Sequence, residues 1–472
     1  MSATVKADAK KYDLVVIGSG PAGEKGAAQA AYFGKRVALV ERQPHLGGAA
    51  ANTGTLPSKT LRETSLYLSG FRQRGLYGIE ANLRERASVR DFLRREQTVA
   101  ETERARVARN LEAHRIDLYR GRARFLDPHR VEVTGGDGSH VLAGEFLLIA
   151  TGSSPHRPGE FPFGSKGVFD SDTILGIEAI PASMAVAGGG VIGCEYACMF
   201  AALGIRVTLI EARDRLLSFL DDEIATALTE RMAALGIEFR MPDAVERVDP
   251  VAAGYRIVLA SQAVVEVETI LVASGRSGNT GDLDLAAAGL QGGKRDLLEV
   301  DDRYRTRVPH IYAAGDVIGF PALASTSMEQ ARLAMCDAFH LVYKSALAPI
   351  LPYGIYTIPE VSAAGETEAG AKDKGLDVVV GRAAFRSNAR GQIIGDEHGV
   401  LKLVFRRDDM RLAGTHIIGE QASELIHIGL TAMLAGQGAD LFIQTCYNYP
   451  TLSETYKYAT YDAMGRRQRR ES

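Results

Sequence analysis

Two glycine-rich segments of this chain have the spacing that brings a backbone close to a pyrophosphate. Their glycines are Gly18, Gly20 and Gly23 in the first segment and Gly188, Gly190 and Gly193 in the second. In this pattern the first glycine allows a tight turn, the second admits the phosphates, and the third lets a helix pack on a strand. The N–H groups that begin the helix then bind the anion. The sequence therefore predicts two dinucleotide sites.

An acidic residue follows each glycine segment at the same distance. Glu41 and Glu211 each come 23 residues after the first glycine of their segment. At that distance a carboxylate is expected to accept a hydrogen bond from a ribose hydroxyl. One such pattern is weak evidence, whereas two copies with equal spacing are strong. The alternative is a pair of ordinary glycine turns in an α/β protein that binds no nucleotide.

The acid of the second segment influences which nicotinamide nucleotide that site accepts. Glu211 favours the ribose of NAD and repels the 2′-phosphate of NADP. Arg213 and Arg215 follow closely and would offset that repulsion. Arg213 is the better candidate because it lies two residues after the acid, although either arginine could be an ordinary surface residue.

Strand and helix patterns supply the elements that must position these residues. Short apolar runs rich in β-branched residues precede each glycine segment and each acid, with a helical run between them. These runs are 13–17, 36–40, 185–187 and 206–210. Three further strands end in small-residue turns, at 146–152, 270–276 and 311–316, and the helical run 422–435 lies near the C-terminus. Segment 88–120 is charged, with apolar residues at helical spacing, and predicts a solvated helix with surface arginines.

Composition excludes several classes of function. The 472 residues are enough for about three domains, and a net charge of -3 argues against binding nucleic acid or an anionic membrane. The four cysteines form no CxxC pair or zinc-ligand pattern, so no metal site is predicted. The polar N-terminus and the lack of a long apolar stretch predict a cytoplasmic protein.

These motifs resemble the flavoprotein disulfide reductases, the family of lipoamide dehydrogenase and glutathione reductase, over essentially the whole chain. The resemblance includes the turns at Thr151–Gly152 and Gly315–Asp316. It implies an α/β fold with two Rossmann-like dinucleotide-binding domains, for FAD and NAD(P), and a C-terminal α+β dimerisation domain. The implied boundaries are 1–155 with 276–348 for FAD, 156–275 for NAD(P), and 349–472 for the interface. A homodimer or a larger homo-oligomer is expected.

The resemblance also assigns site residues. Lys59 and Glu195 match the family's lysine–glutamate pair beside flavin N5, and are the predicted catalytic residues. Asp316 would bind the ribityl chain of FAD, and the helix that opens near residue 325 would point its N-terminus at the flavin. The cofactor-binding residues implied in addition to the glycines and acids above are Thr55, Lys59, Thr151, Gly152, Arg213, Gly275, Asp316 and Ala324.

The chain departs from the family where disulfide chemistry is expected. Ala50 and Thr55 stand in place of the two redox cysteines, and Tyr449 stands in place of the histidine that serves the thiols. Thiol–disulfide exchange needs a thiolate, and a tyrosine of ordinary pKa is a poor base at neutral pH. Dithiol chemistry is therefore excluded, and Glu454, which would orient that histidine, is expected to be structural.

Within the family, the nearest resemblance is to the soluble, Si-specific pyridine nucleotide transhydrogenases. It rests on segments 54–59, 213–221, 275–280, 353–360 and 447–450. It implies ping-pong hydride transfer between NAD(H) and NADP(H) through flavin N5, with FAD, NAD and NADP as cofactors. That group typically keeps a cysteine at the position of Ala50. Two alternatives stay open: an NAD(P)H-dependent reductase of quinones or oxygen, and a non-catalytic nucleotide-binding scaffold.

Overall fold

The structure is a computed structural model that describes residues 9–70, 76, 88–136 and 138–471. The segment 1–8, where the polar N-terminus begins, lies outside the described residues. The strand before the first glycine segment is paired in parallel with its neighbours on both sides and is buried along residues 14–17. It belongs to a seven-stranded sheet. The strands of this sheet are Lys10–Ile17, Val37–Glu41, Asp117–Arg120, Arg122–Asp127, Arg130–Gly135, Gly138–Ile149 and Ile311–Ala313.

A second, five-stranded parallel sheet repeats this arrangement around the second glycine segment. Its strands are Val168–Asp170, Ser183–Ala187, Arg206–Ile210, Ile237–Arg240 and Thr269–Val272, and a three-stranded antiparallel sheet accompanies it with strands Val245–Val251, Gly254–Leu259 and Val264–Val267. Strands Ser153–Pro155 and Arg276–Gly278 pair antiparallel, so the chain leaves the first sheet and returns to it side by side.

The C-terminal part contains a five-stranded antiparallel sheet. Its strands are Tyr353–Ile355, Val361–Gly365, Val378–Ala384, Val400–Arg406 and Leu412–Ile418. The predicted helix 422–435 is confirmed as Ala422–Leu434 and packs on this sheet. The α/β prediction is confirmed, with a mixed sheet and a parallel sheet followed by an α+β unit.

Helices cover the faces of the sheets. Those of the described residues are Pro21–Tyr32, Gly48–Asn52, Thr55–Ser69, Val89–Ala113, Val191–Ala202, Asp222–Ala234, Ala324–Ala338, Glu368–Asp373, Ala389–Ile394, Ala422–Leu434, Ala439–Gln444 and Thr455–Glu471. None of the helices in this part of the chain is long and apolar enough to cross a membrane.

The predicted solvated helix over 88–120 is shorter than expected. Ser88 and Asp91 form a capping box that begins it, as its local sequence favours. It ends at Ala113, because Arg115 takes a left-handed conformation with φ of 53°, and residues 117–120 join the first sheet as an edge strand.

Candidate active site and nucleotide-binding loops

The first glycine loop has a geometry that only glycine satisfies at two positions. Gly18 has a φ of +105°, and a Cβ atom there would lie 2.4 Å from the carbonyl oxygen of Ala150. A Cβ atom on Gly23 would lie 1.8 Å from the carbonyl oxygen of Gly18. Helix Pro21–Tyr32 begins at Gly20 with no side-chain cap among the described residues. Its first N–H groups are therefore available to an anion.

The second glycine loop repeats these close approaches. Gly188 has a φ of +115°, and its Cβ would lie 2.5 Å from the carbonyl oxygen of Ala273. A Cβ on Gly193 would again lie 1.8 Å from the carbonyl oxygen of the loop's first glycine. At Gly190 no described atom lies within 4 Å of the Cβ position. The space beside Gly190 fits the approach of a phosphate.

Glu41 is held firmly at the end of its strand. Its Oε2 accepts hydrogen bonds from the backbone N–H of Ser19 at 2.9 Å and from the Ser19 hydroxyl at 2.6 Å. Its Oε1 accepts from the N–H of Gln43 at 2.7 Å. An ionised carboxylate offers about four acceptor positions. The three bonds orient Glu41 and leave acceptor capacity for a ribose hydroxyl.

Glu211 has the equivalent backbone contact and, in addition, an arginine. Its Oε2 accepts from the N–H of Gly189 at 2.6 Å, and its Oε1 accepts from Nε of Arg213 at 2.9 Å. Burial disfavours the charged carboxylate, but the hydrogen bonds from Arg213 and Gly189 outweigh it and lower the pKa of Glu211. Arg215 instead donates to Asp222 Oδ1 at 2.5 Å, so Arg213 is the arginine that lies beside the acid.

Lys59 and Glu195 are 136 residues apart in sequence and in direct contact in the structure. Lys59 Nζ lies 2.7 Å from Glu195 Oε2. Lys59 lies in the first turns of helix Thr55–Ser69, and Glu195 lies in helix Val191–Ala202, next to the second glycine loop. The Glu195 side chain is 4% exposed and that of Lys59 is 28% exposed. The carboxylate is thus buried, whereas the ammonium reaches the surface of the site.

A third residue, Tyr356, contacts both members of this pair and was not predicted as a site residue from the sequence. The backbone N–H of Tyr356 donates to Glu195 Oε1 at 2.9 Å, and Lys59 Nζ lies 4.9 Å from the centroid of the Tyr356 ring. Such a distance allows a cation–π interaction. Tyr356 follows the first strand of the C-terminal sheet, and nothing in its local sequence indicates contact with the glycine-loop helix.

Two of the turns expected to bind the rest of FAD follow strands Gly138–Ile149 and Ile311–Ala313 of the first sheet and contact each other. Asp316 Oδ2 accepts from the Ser153 hydroxyl at 2.9 Å, and Arg276 Nε donates to the same Ser153 oxygen at 2.7 Å. Thr151 Oγ1 is buried with no hydrogen-bond partner among the described residues. A buried hydroxyl without a partner is costly, so this group fits contact with a polar ligand.

Gly152, Gly275, Gly315 and Ala324 lie at turns or helix ends of this region. Gly152, Gly275 and Gly315 have φ of +67°, +94° and +82°, which glycine adopts without strain. Helix Ala324–Ala338 begins at Ala324, one residue before the predicted start, and no described side chain caps it. Its first N–H groups are also available to a ligand. Taken together with the first glycine loop, these residues fit a bound FAD.

The segment in which the family has its two redox cysteines contains no sulfur atom in this chain. Ala50 lies in the short helix Gly48–Asn52, and Thr55 is the first residue of helix Thr55–Ser69. Cys194 and Cys198 lie elsewhere, on helix Val191–Ala202, and are fully buried among packed side chains. Burial raises the pKa of the Cys198 thiol to about 12 and that of Cys194 well above its usual value, which disfavours a thiolate at either position.

Two arginines of helix Val89–Ala113 have contacts that the surface prediction did not include. Arg106 binds the buried carboxylate of Glu24 with two hydrogen bonds of 2.9 Å, and Arg104 Nε donates to Asn52 Oδ1 at 2.6 Å. Glu24 lies in the first turn of the helix after the first glycine loop. The long helix therefore supports both the glycine loop and the thiol-free segment.

Comparison with protein families agrees with this architecture. A family model described as pyridine nucleotide-disulphide oxidoreductase matches residues 12–331, and the model of its dimerisation domain matches residues 351–460. The chain belongs to the pyridine nucleotide-disulphide oxidoreductases. The two glycine loops and the Lys59–Glu195 pair lie within the first match, and Tyr356 lies within the second. This candidate active site therefore combines residues from both matched regions of the oxidoreductase.

Individual relatives share nearly the full length of this oxidoreductase. A protein of Mycobacterium bovis (strain BCG / Pasteur 1173P2) named soluble pyridine nucleotide transhydrogenase is 46% identical over 459 residues, covering 97% of this chain and 98% of that protein. A protein of Hahella chejuensis with the same name is 40% identical over 465 residues, covering 97% and 99%.

Solved structures of the same fold are more distant in sequence. LpdA from Mycobacterium tuberculosis is 26% identical, with a TM-score of 0.88, and covers 96% of this chain and 99% of that protein. RclA from Escherichia coli, an HOCl-induced flavoprotein disulfide reductase, is 27% identical, with a TM-score of 0.86 and coverage of 95% and 99%.

Proposed function

We propose that this protein is an FAD-dependent pyridine nucleotide transhydrogenase, which transfers hydride between NAD(H) and NADP(H). The observation that carries the proposal is the Lys59–Glu195 contact of 2.7 Å in a site whose adjoining segment has Ala50 and Thr55 instead of two cysteines. A site of this kind retains the groups for hydride transfer and lacks those for a dithiol. The names of the relatives that are 40–46% identical support the same activity.

The residues of the first site would hold FAD, which supplies a reversible hydride carrier when bound. Gly18, Gly20 and Gly23 admit its pyrophosphate and Glu41 binds a ribose hydroxyl. Thr55, Thr151, Gly152, Gly275, Asp316 and Ala324 complete the proposed FAD contacts. Lys59 places a positive charge at the reacting end of the site, and Glu195 holds its ammonium in position.

The residues of the second site would bind the nicotinamide nucleotides in turn. Gly188, Gly190 and Gly193 admit the pyrophosphate, and Glu211 binds the ribose of NAD. Arg213 would serve the 2′-phosphate of NADP, because a guanidinium binds phosphate with charge-assisted hydrogen bonds. One site that accepts both nucleotides is what a ping-pong transfer requires.

The proposal extends to organisation and location. The FAD-binding unit comprises residues 1–155 and 276–348, the NAD(P)-binding unit residues 156–275, and the dimerisation unit residues 349–472. The match to the dimerisation-domain model over 351–460 supports a homodimer. The cytoplasm is the proposed location.

The proposal is tested by a two-stage transfer without oxygen. The purified yellow enzyme is reduced with NADH, freed of nucleotide, and mixed with NADP+. We expect stoichiometric NADPH, and the reverse experiment should yield NADH. If neither oxidised nucleotide accepts hydride from the reduced enzyme while a quinone reoxidises it rapidly, the protein is a quinone reductase and the proposal is wrong.

Removing the arginine beside Glu211 should change nucleotide preference. In Arg213→Gln we expect kcat/KM for NADPH to fall about tenfold relative to NADH, because one charge-assisted contact to phosphate is worth roughly 1.4 kcal/mol or more. Steady-state kinetics with each nucleotide measures this ratio. Arg215→Gln is the matched control, since Arg215 is bound to Asp222. Equal losses for NADH and NADPH in Arg213→Gln would contradict the assignment.

A further inference from the structure

A buried lysine connects the C-terminal sheet to the helix that follows Glu211 in the chain. Lys402 lies on strand Val400–Arg406, and its side chain is 3% exposed. Its Nζ lies 2.8 Å from Asp221 Oδ1, 3.0 Å from Glu368 Oε2 and 3.1 Å from Glu223 Oε2. A buried ammonium with three carboxylates is a costly arrangement to build, and it lies outside the proposed hydride-transfer site.

The cluster is stable only with its cations in place. Burial disfavours the charged form of Lys402, but the hydrogen bonds to Asp221 and Glu368 outweigh it and raise the pKa of the lysine. Arg382 contributes a second cation, with Nε 2.8 Å from Glu223 Oε1. Asp221 is itself 2% exposed. Without Lys402, that buried carboxylate would lose its cationic partner.

Asp221 also accepts hydrogen bonds from the backbone of both regions that the cluster joins, the helix after Glu211 and the C-terminal region. It caps helix Asp222–Ala234 by accepting from the N–H of Glu223 at 3.2 Å. Its other oxygen accepts from the N–H of Glu368 at 3.3 Å. The start of the helix is therefore fixed to the C-terminal sheet region.

The loop before Asp221, residues 212–220, covers the second glycine loop. The N–H of Leu217 donates to the carbonyl oxygen of Gly189 at 3.4 Å, and the Leu216 side chain lies 2.6 Å from where a Cβ on Gly189 would be. Arg213 binds Glu211 at one end of this loop. At the other end, the loop reaches Asp221 and the lysine cluster.

We propose that Lys402 is a positioning residue for the second nucleotide site. Through Asp221 it anchors the 212–220 loop. Arg213, Leu216 and Leu217 of this loop therefore have their binding positions before a nucleotide binds. A loop without this anchor would be ordered on binding at a cost in conformational entropy. The inference rests on the proposed function only in assuming that the second loop binds a pyridine nucleotide.

The test compares nucleotide affinity with the hydride-transfer rate in FAD-replete enzyme. In Lys402→Met we expect the Kd values for NADH and NADPH, measured by the fluorescence of the bound nucleotides, to rise about tenfold. The transfer rate at saturating nucleotide should stay within about twofold of wild type, because the loss is in binding alone. Lys374→Met is the matched control, since Lys374 pairs with Glu366 in the same region and is 61% exposed.

If Lys402→Met does not fold, a milder variant tests the inference about the cluster. Glu368→Gln removes one partly exposed carboxylate of the cluster, and we expect a smaller rise in both Kd values, about threefold. Unchanged Kd values in a folded, FAD-replete cluster variant would overturn the inference and leave the proposed function standing. Failure of the wild-type enzyme to bind either nucleotide would overturn the proposed function as well.

Discussion

Replacing Lys59 by methionine is expected to slow hydride transfer about a hundredfold, the size of effect seen when one preorganised electrostatic contact is removed from a site. The substitution keeps the length of the side chain but removes the charge that Glu195 holds at 2.7 Å. Stopped-flow measurement of flavin reduction by NADH at saturating nucleotide gives the rate. The Kd for NADH should change far less, because the second glycine loop is untouched.

Lys344→Met is the control for this substitution. Lys344 is similar in exposure, at 23%, and pairs with Glu329 at the same distance of 2.7 Å, but it lies away from both glycine loops in the sequence. A wild-type rate in Lys344→Met and a slow rate in Lys59→Met would support the proposed role. If Lys59→Met retained FAD and reduced it at the wild-type rate, Lys59 would be a structural residue only.

Replacing Gly193 by alanine should severely impair the use of pyridine nucleotides while FAD stays bound. The new Cβ atom would lie 1.8 Å from the carbonyl oxygen of Gly188, a backbone atom that moves only with the loop. Helix Val191–Ala202 would have to shift, and a displacement of about 1 Å in a site costs on the order of a hundredfold in rate. Titration of NADH fluorescence and the FAD content of the purified protein measure the two effects.

Gly176→Ala is the control for added volume in the same region. No described atom lies within 4 Å of the Cβ position at Gly176, so both binding and stability should be those of wild type. Gly190→Ala gives a third result, because its Cβ position is also open but faces the expected path of the phosphate. We expect it to fold normally and to bind nucleotide weakly. Normal NADH binding by Gly193→Ala would show that the loop tolerates the shift.

Several site features could be predicted because their causes are local. The left-handed turns and close helix–strand contacts at the two glycine loops follow from steric rules that act over a few residues. The strand 206–210 was predicted at its observed bounds. By contrast, the end of helix Val89–Ala113 was misplaced, because the left-handed Arg115 has no strong signal in its neighbours.

Other features depend on which surfaces pack together. Arg213 was the better candidate and Arg215 the second, and the structure pairs Arg213 with Glu211 and Arg215 with Asp222. Tyr356 and Lys402 belong to the C-terminal part, and their partners Glu195 and Asp221 come more than a hundred residues earlier. No local pattern specifies contacts between residues so far apart.

The residues alone were enough to predict two similar dinucleotide-binding loops and a site without dithiol chemistry, because glycine geometry and the absence of sulfur at Ala50 and Thr55 are properties of the residues themselves. Folding is what brings Lys59 to Glu195 and places the buried Lys402 among three carboxylates, of which only that of Asp221 is itself buried. Ion pairs form where folding brings side chains together and removes water, and this depends on the packing of elements that are far apart in the sequence.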